Sequence, residues 1–107
     1  MLWLKIVPHM AKSSRYTLGA RIEERFLDLI ELSYDTYFTA KNEKKEKISN
    51  CIKFLDKLKY LISLAWEAKL IPNDQYEEVA SELFEAGRMF GGWRNNLDNP
   101  EKKNRTL

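Results

Sequence analysis

From Leu18 onward the apolar residues recur at helical spacing. Leu18, Ile22, Phe26, Leu29, Ser33, Thr36, Tyr37 and Ala40 form one stripe, which predicts a helix over about 17–40 with Thr17 as its N-cap. Leu27, Tyr34 and Phe38 fall on nearly the opposite face, so this helix has two apolar sides. The run Lys41 to Lys47 then reads as a charged turn and helix entry, with a solvated helix end as its ordinary reading, and beyond it a second helix extends to about Leu70. On that helix Ile48, Cys51, Ile52, Leu55, Leu58, Ile62 and Ala65 supply the core stripe, and Lys53, Lys57, Tyr60 and Leu64 share another face. Pro72-Asn73-Asp74 breaks the pattern, with Asn73 or Asp74 able to cap the next helix.

A third long helix carries Tyr76, Val79, Ala80, Leu83, Ala86, Gly87, Phe90 and Leu97 on one face and Glu77, Glu78, Glu82 and Glu85 on the other. Upstream, Met1 to Val7 has room for about two helical turns before Pro8 stops it, and Pro8 to Tyr16 reads as a connection. From Asn95 the sequence turns polar and basic. The expected layout is one domain over residues 1–97 with a disordered basic tail, 98–107. The expected fold is all-α: an up-down four-helix bundle with a short or truncated first helix.

Second apolar faces mean second partners. A surface helix of a monomer needs one greasy side, so Leu27, Tyr34, Phe38, Tyr60 and Leu64 point to contact between copies of the chain. Gly87-Arg88-Met89-Phe90-Gly91-Gly92-Trp93-Arg94 adds to this. Each helical glycine costs about 1 kcal/mol relative to Ala, which implies tight packing, a bend or a surface for a neighbour. Gly87 lies on the core stripe and fits close packing. Gly91, Gly92 and Trp93 lie at its edge, where Trp93 can cap the core or meet another subunit. Arg88 and Arg94 flank the stretch and suit the same interface.

Composition narrows the function without naming it. With 107 residues, 44% hydrophobic and 32% charged, the chain is long enough for one modest core and too apolar to be disordered. The net charge of +2 is too small to imply nucleic-acid binding by itself, but it is unevenly spread. Residues 1–16 carry +3 and 41–59 carry +4, against −3 over 17–40 and −4 over 72–98. Symmetric repetition would turn such patches into a strongly basic surface. The single Cys51 excludes an internal disulfide and fits a reducing, cytoplasmic setting. No apolar run reaches the roughly 20 residues of a membrane span.

Chemistry is missing its parts. His9 is the only histidine, and Cys51 sits on a core face, so neither a metal cluster nor a Cys-His pair can be assembled. Gly91-Gly92 comes after a helix instead of opening one behind a strand, so it is no phosphate loop. Neither a catalytic residue nor a metal or other cofactor is expected.

Three stretches resemble one family of small bacterial proteins. Pro8 followed by Ser14-Arg15-Tyr16-Thr17-Leu18-Gly19-Ala20-Arg21-Ile22-Glu23 is similar to its P…R-(Y/F)-T-L-G-x-(R/K)-I-E opening. Leu55-Asp56-Lys57-Leu58-Lys59-Tyr60-Leu61-Ile62-Ser63-Leu64-Ala65-Trp66-Glu67 resembles its third-helix motif. Gly87-Arg88-Met89-Phe90-Gly91-Gly92-Trp93 resembles its G-R-M-L-G-G-W ending, with Phe90 at the usual Leu. These are four-helix-bundle proteins that include the accessory variability determinant of diversity-generating retroelements and proteins encoded in intervening sequences of ribosomal RNA genes.

The resemblance covers roughly residues 2–97, although the family's first helix usually begins well before the Leu2-Trp3-Leu4 equivalent. It implies a homo-oligomer, a pentamer in characterised members, with a basic surface that holds a reverse transcriptase and nucleic acid (template RNA and cDNA) and has no catalysis of its own. Lys12, Arg15, Arg21 and Arg25 are then the first candidates for phosphate or partner contacts, with Lys53, Lys57 and Lys59 next. Arg25 also lies beside the core stripe, where pairing with a carboxylate is the ordinary reading. The alternative is a self-associating structural or protein-interaction bundle with no nucleic-acid role.

Overall fold

The computed structural model describes residues 15–98, and these residues are all-helical, with no strand among them. A π-helical turn, Arg15–Gly19, leads directly into α1, Ala20–Tyr37. Helix α2 spans Lys41–Glu67 and α3 spans Asn73–Asp98. The segment expected to supply a fourth element, Met1 to Val7, lies outside the described residues, as do 99–107.

Helix α2 packs against α1 on one side and α3 on the other. The first connection is only Phe38 to Ala40, which forces α1 and α2 to run antiparallel. Thr36 near the end of α1 meets Cys51 in the first half of α2, with Oγ1 and Sγ 3.5 Å apart. At the other connection Trp66 and Tyr76 stack with ring centroids 4.5 Å apart, so α2 and α3 are also antiparallel.

The core is the stripe that the spacing predicts. Ile22, Leu29, Ile48, Cys51, Leu55, Leu58, Ile62, Ala65, Val79 and Leu83 are buried, and Ile71 from the second connection closes one end. At about 25 cal/mol per Å2 of apolar surface, each large aliphatic among them stabilises the fold by roughly 1.5–3 kcal/mol. Thr36 is the buried polar residue of this core, and its hydroxyl donates to the Leu32 carbonyl at 2.6 Å. Two positions assigned to the stripe are not in it: Tyr37 and Ala40 are exposed. Tyr37 is one residue on from buried Thr36, about 100° around the helix and off the covered face, and Ala40 lies beyond the helix end.

The ends of the helices differ from expectation for identifiable reasons. Thr17 is not an N-cap, because the helical chain has already begun two residues earlier in the π turn. Helix α1 ends where its carbonyls find other donors. The Thr39 hydroxyl donates to the Asp35 carbonyl at 2.7 Å, and the Lys44 ammonium donates to the Tyr37 carbonyl at 3.1 Å. A cation there also suits the negative end of the helix dipole. The Lys41 to Lys47 run is the first two turns of α2, so it is the helix entry, and the turn precedes it at Phe38 to Ala40.

Helix α2 closes with a Schellman motif. The Leu70 N–H donates to the Ala65 carbonyl and the Lys69 N–H to the Trp66 carbonyl, both at 2.9 Å, with Lys69 left-handed at φ 62°. At the second connection Asn73 does not cap α3 with its side chain. Its Oδ1 accepts from the Trp66 indole N–H at 2.7 Å, while the Pro72 carbonyl accepts from the Tyr76 N–H in the first turn of α3. The far end of α3 runs on to Asp98, so Asn95 and Asn96 are helical and not the start of a tail. Phe90, Trp93 and Leu97 continue the inward spacing around them, each half-buried.

Candidate binding surface

Antiparallel packing of α1 on α2 brings three of the predicted basic residues together. Arg21 and Arg25 are one turn apart on α1. Lys57, Tyr60 and Leu61 occupy one stretch of α2, and with Asp56 all six line a cleft of about 430 Å3. Arg25 donates to Asp28 Oδ2 at 3.0 Å, an i,i+3 pair that is partly solvated and stabilises by under about 1 kcal/mol. The carboxylate reading of Arg25 is therefore correct, and that guanidinium is largely neutralised. Arg21 makes no ion pair among the described residues. Lys57 makes none either, and its ammonium stands 5.8 Å from the Phe54 ring centroid. Two cations thus face solvent beside an exposed phenol ring.

The other predicted cations do not join them. Lys59 is two residues from Lys57, which on a helix turns it by about 200°. It lines a separate groove of about 280 Å3 between α2 and α3, with Ile62, Ser63, Tyr76, Ala80, Leu83 and Phe84. Lys53 is exposed one turn before Lys57 and does not line the cleft. Arg15 has its backbone in the π turn; its side chain and the whole of Lys12 lie outside the described residues.

A second surface is apolar. Leu27, Ile30, Tyr34 and Phe38 succeed one another at spacings of three and four along the outer face of α1, and all are exposed. Tyr34, Tyr37 and Phe38 are 66%, 66% and 68% exposed. Phe38 contacts Tyr34 at 4.9 Å and Tyr37 edge-on at 5.1 Å between centroids, so the rings form one patch. Ile30 and Tyr37 belong to this patch in addition to the residues expected there. The sequence carries a signal for Ile30, which lies three residues from Leu27 and four from Tyr34. Tyr60 and Leu64, predicted for the same kind of contact, are exposed on α2 instead.

The glycine stretch divides as its spacing suggests. A methyl group on Gly87 would lie 3.5 Å from Leu55 Cδ2 and 3.4 Å from Lys59 Nζ, ordinary van der Waals contact. Gly87 therefore packs against α2 with room for Ala but not for a long side chain. Around the same position of Gly91 and of Gly92 there is nothing within 4 Å among the described residues. Trp93 is half-buried, with the Lys44 ammonium 5.7 Å from its ring centroid. Arg88 pairs loosely with Glu85 at 3.5 Å on the exposed face.

Among the described residues no group of His, Cys, Asp and Glu could hold a metal ion, and no helix is long and apolar enough to cross a membrane. Cys51 is fully buried against Thr36. The described surface thus carries two features: cations beside an exposed ring at the cleft, and apolar side chains along α1. The chain matches the bAvd-like family over residues 2–97. Neither a curated protein nor a solved structure matches it.

Proposed function

The chain belongs to the bAvd-like family, and on that premise we propose that it is a non-catalytic accessory protein of a diversity-generating retroelement. In this role it binds a reverse transcriptase and nucleic acid, template RNA or cDNA, as a homo-oligomer. The observation that carries the nucleic-acid part is the cleft where Arg21 and Lys57 stand unpaired beside Tyr60. One such cleft neutralises little charge, so a monomer binds weakly. Repetition around a symmetric assembly multiplies the contacts and raises affinity by effective concentration. The apolar patch on α1 and the bare Gly91–Gly92 backbone supply surfaces on which copies can meet.

The test is titration of a structured RNA with the full chain across a salt series, with assembly mass measured by sedimentation. Affinity that falls with rising salt, carried by a species larger than a monomer, is the expected result. A second reading rests on the α1 patch alone: a self-associating bundle with no nucleic-acid role. Assembly with no RNA affinity even at low salt would establish that reading and remove the first.

A further inference from the structure

We infer that the cleft between α1 and α2 takes one unpaired nucleotide, its phosphate against Arg21 and Lys57 and its base stacked on Tyr60, so that the protein selects single-stranded over duplex nucleic acid. This rests on the proposed nucleic-acid role and specifies the form of the ligand.

Charge sets the scale of the site. Arg21, Arg25 and Lys57 are set against Asp28 and Asp56, which leaves one positive charge in excess. That suffices to hold one phosphate and no more, and a duplex offers such a site nothing else, because its bases are stacked inward. The ring supplies the remaining contact. Tyr60 is 65% exposed. Tyr34, Tyr37, Phe38, Trp66 and Tyr76 each contact another ring, whereas Tyr60 makes no ring contact and no hydrogen bond among the described residues. An unpartnered aromatic face next to unpaired cations is the combination that holds single strands, since every base has a π-face to stack. Size is compatible: the open cleft of about 430 Å3 has room for a nucleotide-sized group. The Arg21 guanidinium can also lie along the base, which an ammonium cannot do.

Fluorescence anisotropy of the full chain with a labelled unpaired oligouridylate and with a blunt RNA duplex of equal length tests this. Tyr60→Ala should weaken binding to the unpaired strand at least about fivefold, the lower end of base–aromatic stacking, and binding to the duplex by less than about twofold. Tyr60→Trp should retain the single-strand affinity. Arg21→Gln with Lys57→Gln should weaken both ligands. Equal losses on both RNAs for Tyr60→Ala, or a loss on neither, would overturn the inference. So would a change in assembly mass for Tyr60→Ala, which would assign the ring to contact between copies. Failure of the unsubstituted protein to bind either RNA would instead defeat the nucleic-acid role itself, and this inference with it.

Discussion

The Lys44 ammonium lies 5.7 Å from the centroid of the Trp93 ring, joining the first turn of α2 to the last third of α3. The same ammonium stands 5.8 Å from the Tyr37 ring and bonds the Tyr37 carbonyl, so one side chain ties all three described helices together at one end. Lys44→Met keeps the stem and removes the charge. It should lower stability by about 1 kcal/mol, read as a lower urea midpoint with an unchanged slope. Trp93→Ala should lower it too. A fall in assembly for that variant therefore counts only at temperatures where it remains folded.

Lys69 pays for the left-handed turn that ends α2, because a side chain at φ 62° crowds its own backbone. Lys69→Gly should stabilise the protein by roughly 0.5–1 kcal/mol, raising the thermal midpoint by a few degrees. A lower midpoint would show that the lysine stem contributes more than its conformation costs.

The three glycines of α3 should respond differently. Gly87→Leu should destabilise by about 1–3 kcal/mol, because Leu55 and Lys59 leave room for a methyl group only. Gly91→Ala and Gly92→Ala meet open space, so each should stabilise the isolated chain by about 0.5–1 kcal/mol. If a neighbouring copy approaches that backbone, the same two variants will melt higher yet assemble less. Thermal melts paired with sedimentation velocity separate the two effects.

Cys51 should be inert. Its thiol is fully buried between α1 and α2, so a disulfide reagent should modify it only as fast as the protein opens, and at once in denaturant. Rapid modification of the native protein would contradict the packing of Thr36 on Cys51.

Much of this arrangement is legible in the chain itself. Spacing alone places Ile22, Leu29, Leu55, Ile62, Val79 and Leu83 in the core, because a 3.6-residue period leaves few alternatives. The two-faced character of α1 is equally visible, and the spacing of Ile30 from Leu27 and Tyr34 extends its outer stripe in the same way. Helix ends are harder. Thr17 looks like a cap by residue type, but the π turn overrides it; Asn95 and Asn96 look like a tail, but Phe90, Trp93 and Leu97 hold the helix on. Sequence also groups Lys57 with Lys59. Helix geometry turns the second about 200° away, and the packing of α3 on α2 gives it a groove of its own. Cross-helix company, such as Arg21 with Lys57 and Tyr60, depends on the register of two helices, and no single helix encodes it.

If the Arg21–Lys57 cleft is the nucleic-acid contact, its charges must matter more than equal charges elsewhere. Affinity for an unpaired RNA, measured against salt, should be compared for Arg21→Gln/Lys57→Gln and for Lys41→Gln/Lys47→Gln, which remove equal charge. The cleft pair should lose about tenfold or more in affinity, with a salt slope shallower by about 0.7 per site for one lost phosphate contact. The control pair should stay within about threefold of the unsubstituted chain. Equal losses from both pairs would mean diffuse charge and no defined site, and would contradict the assignment of the cleft.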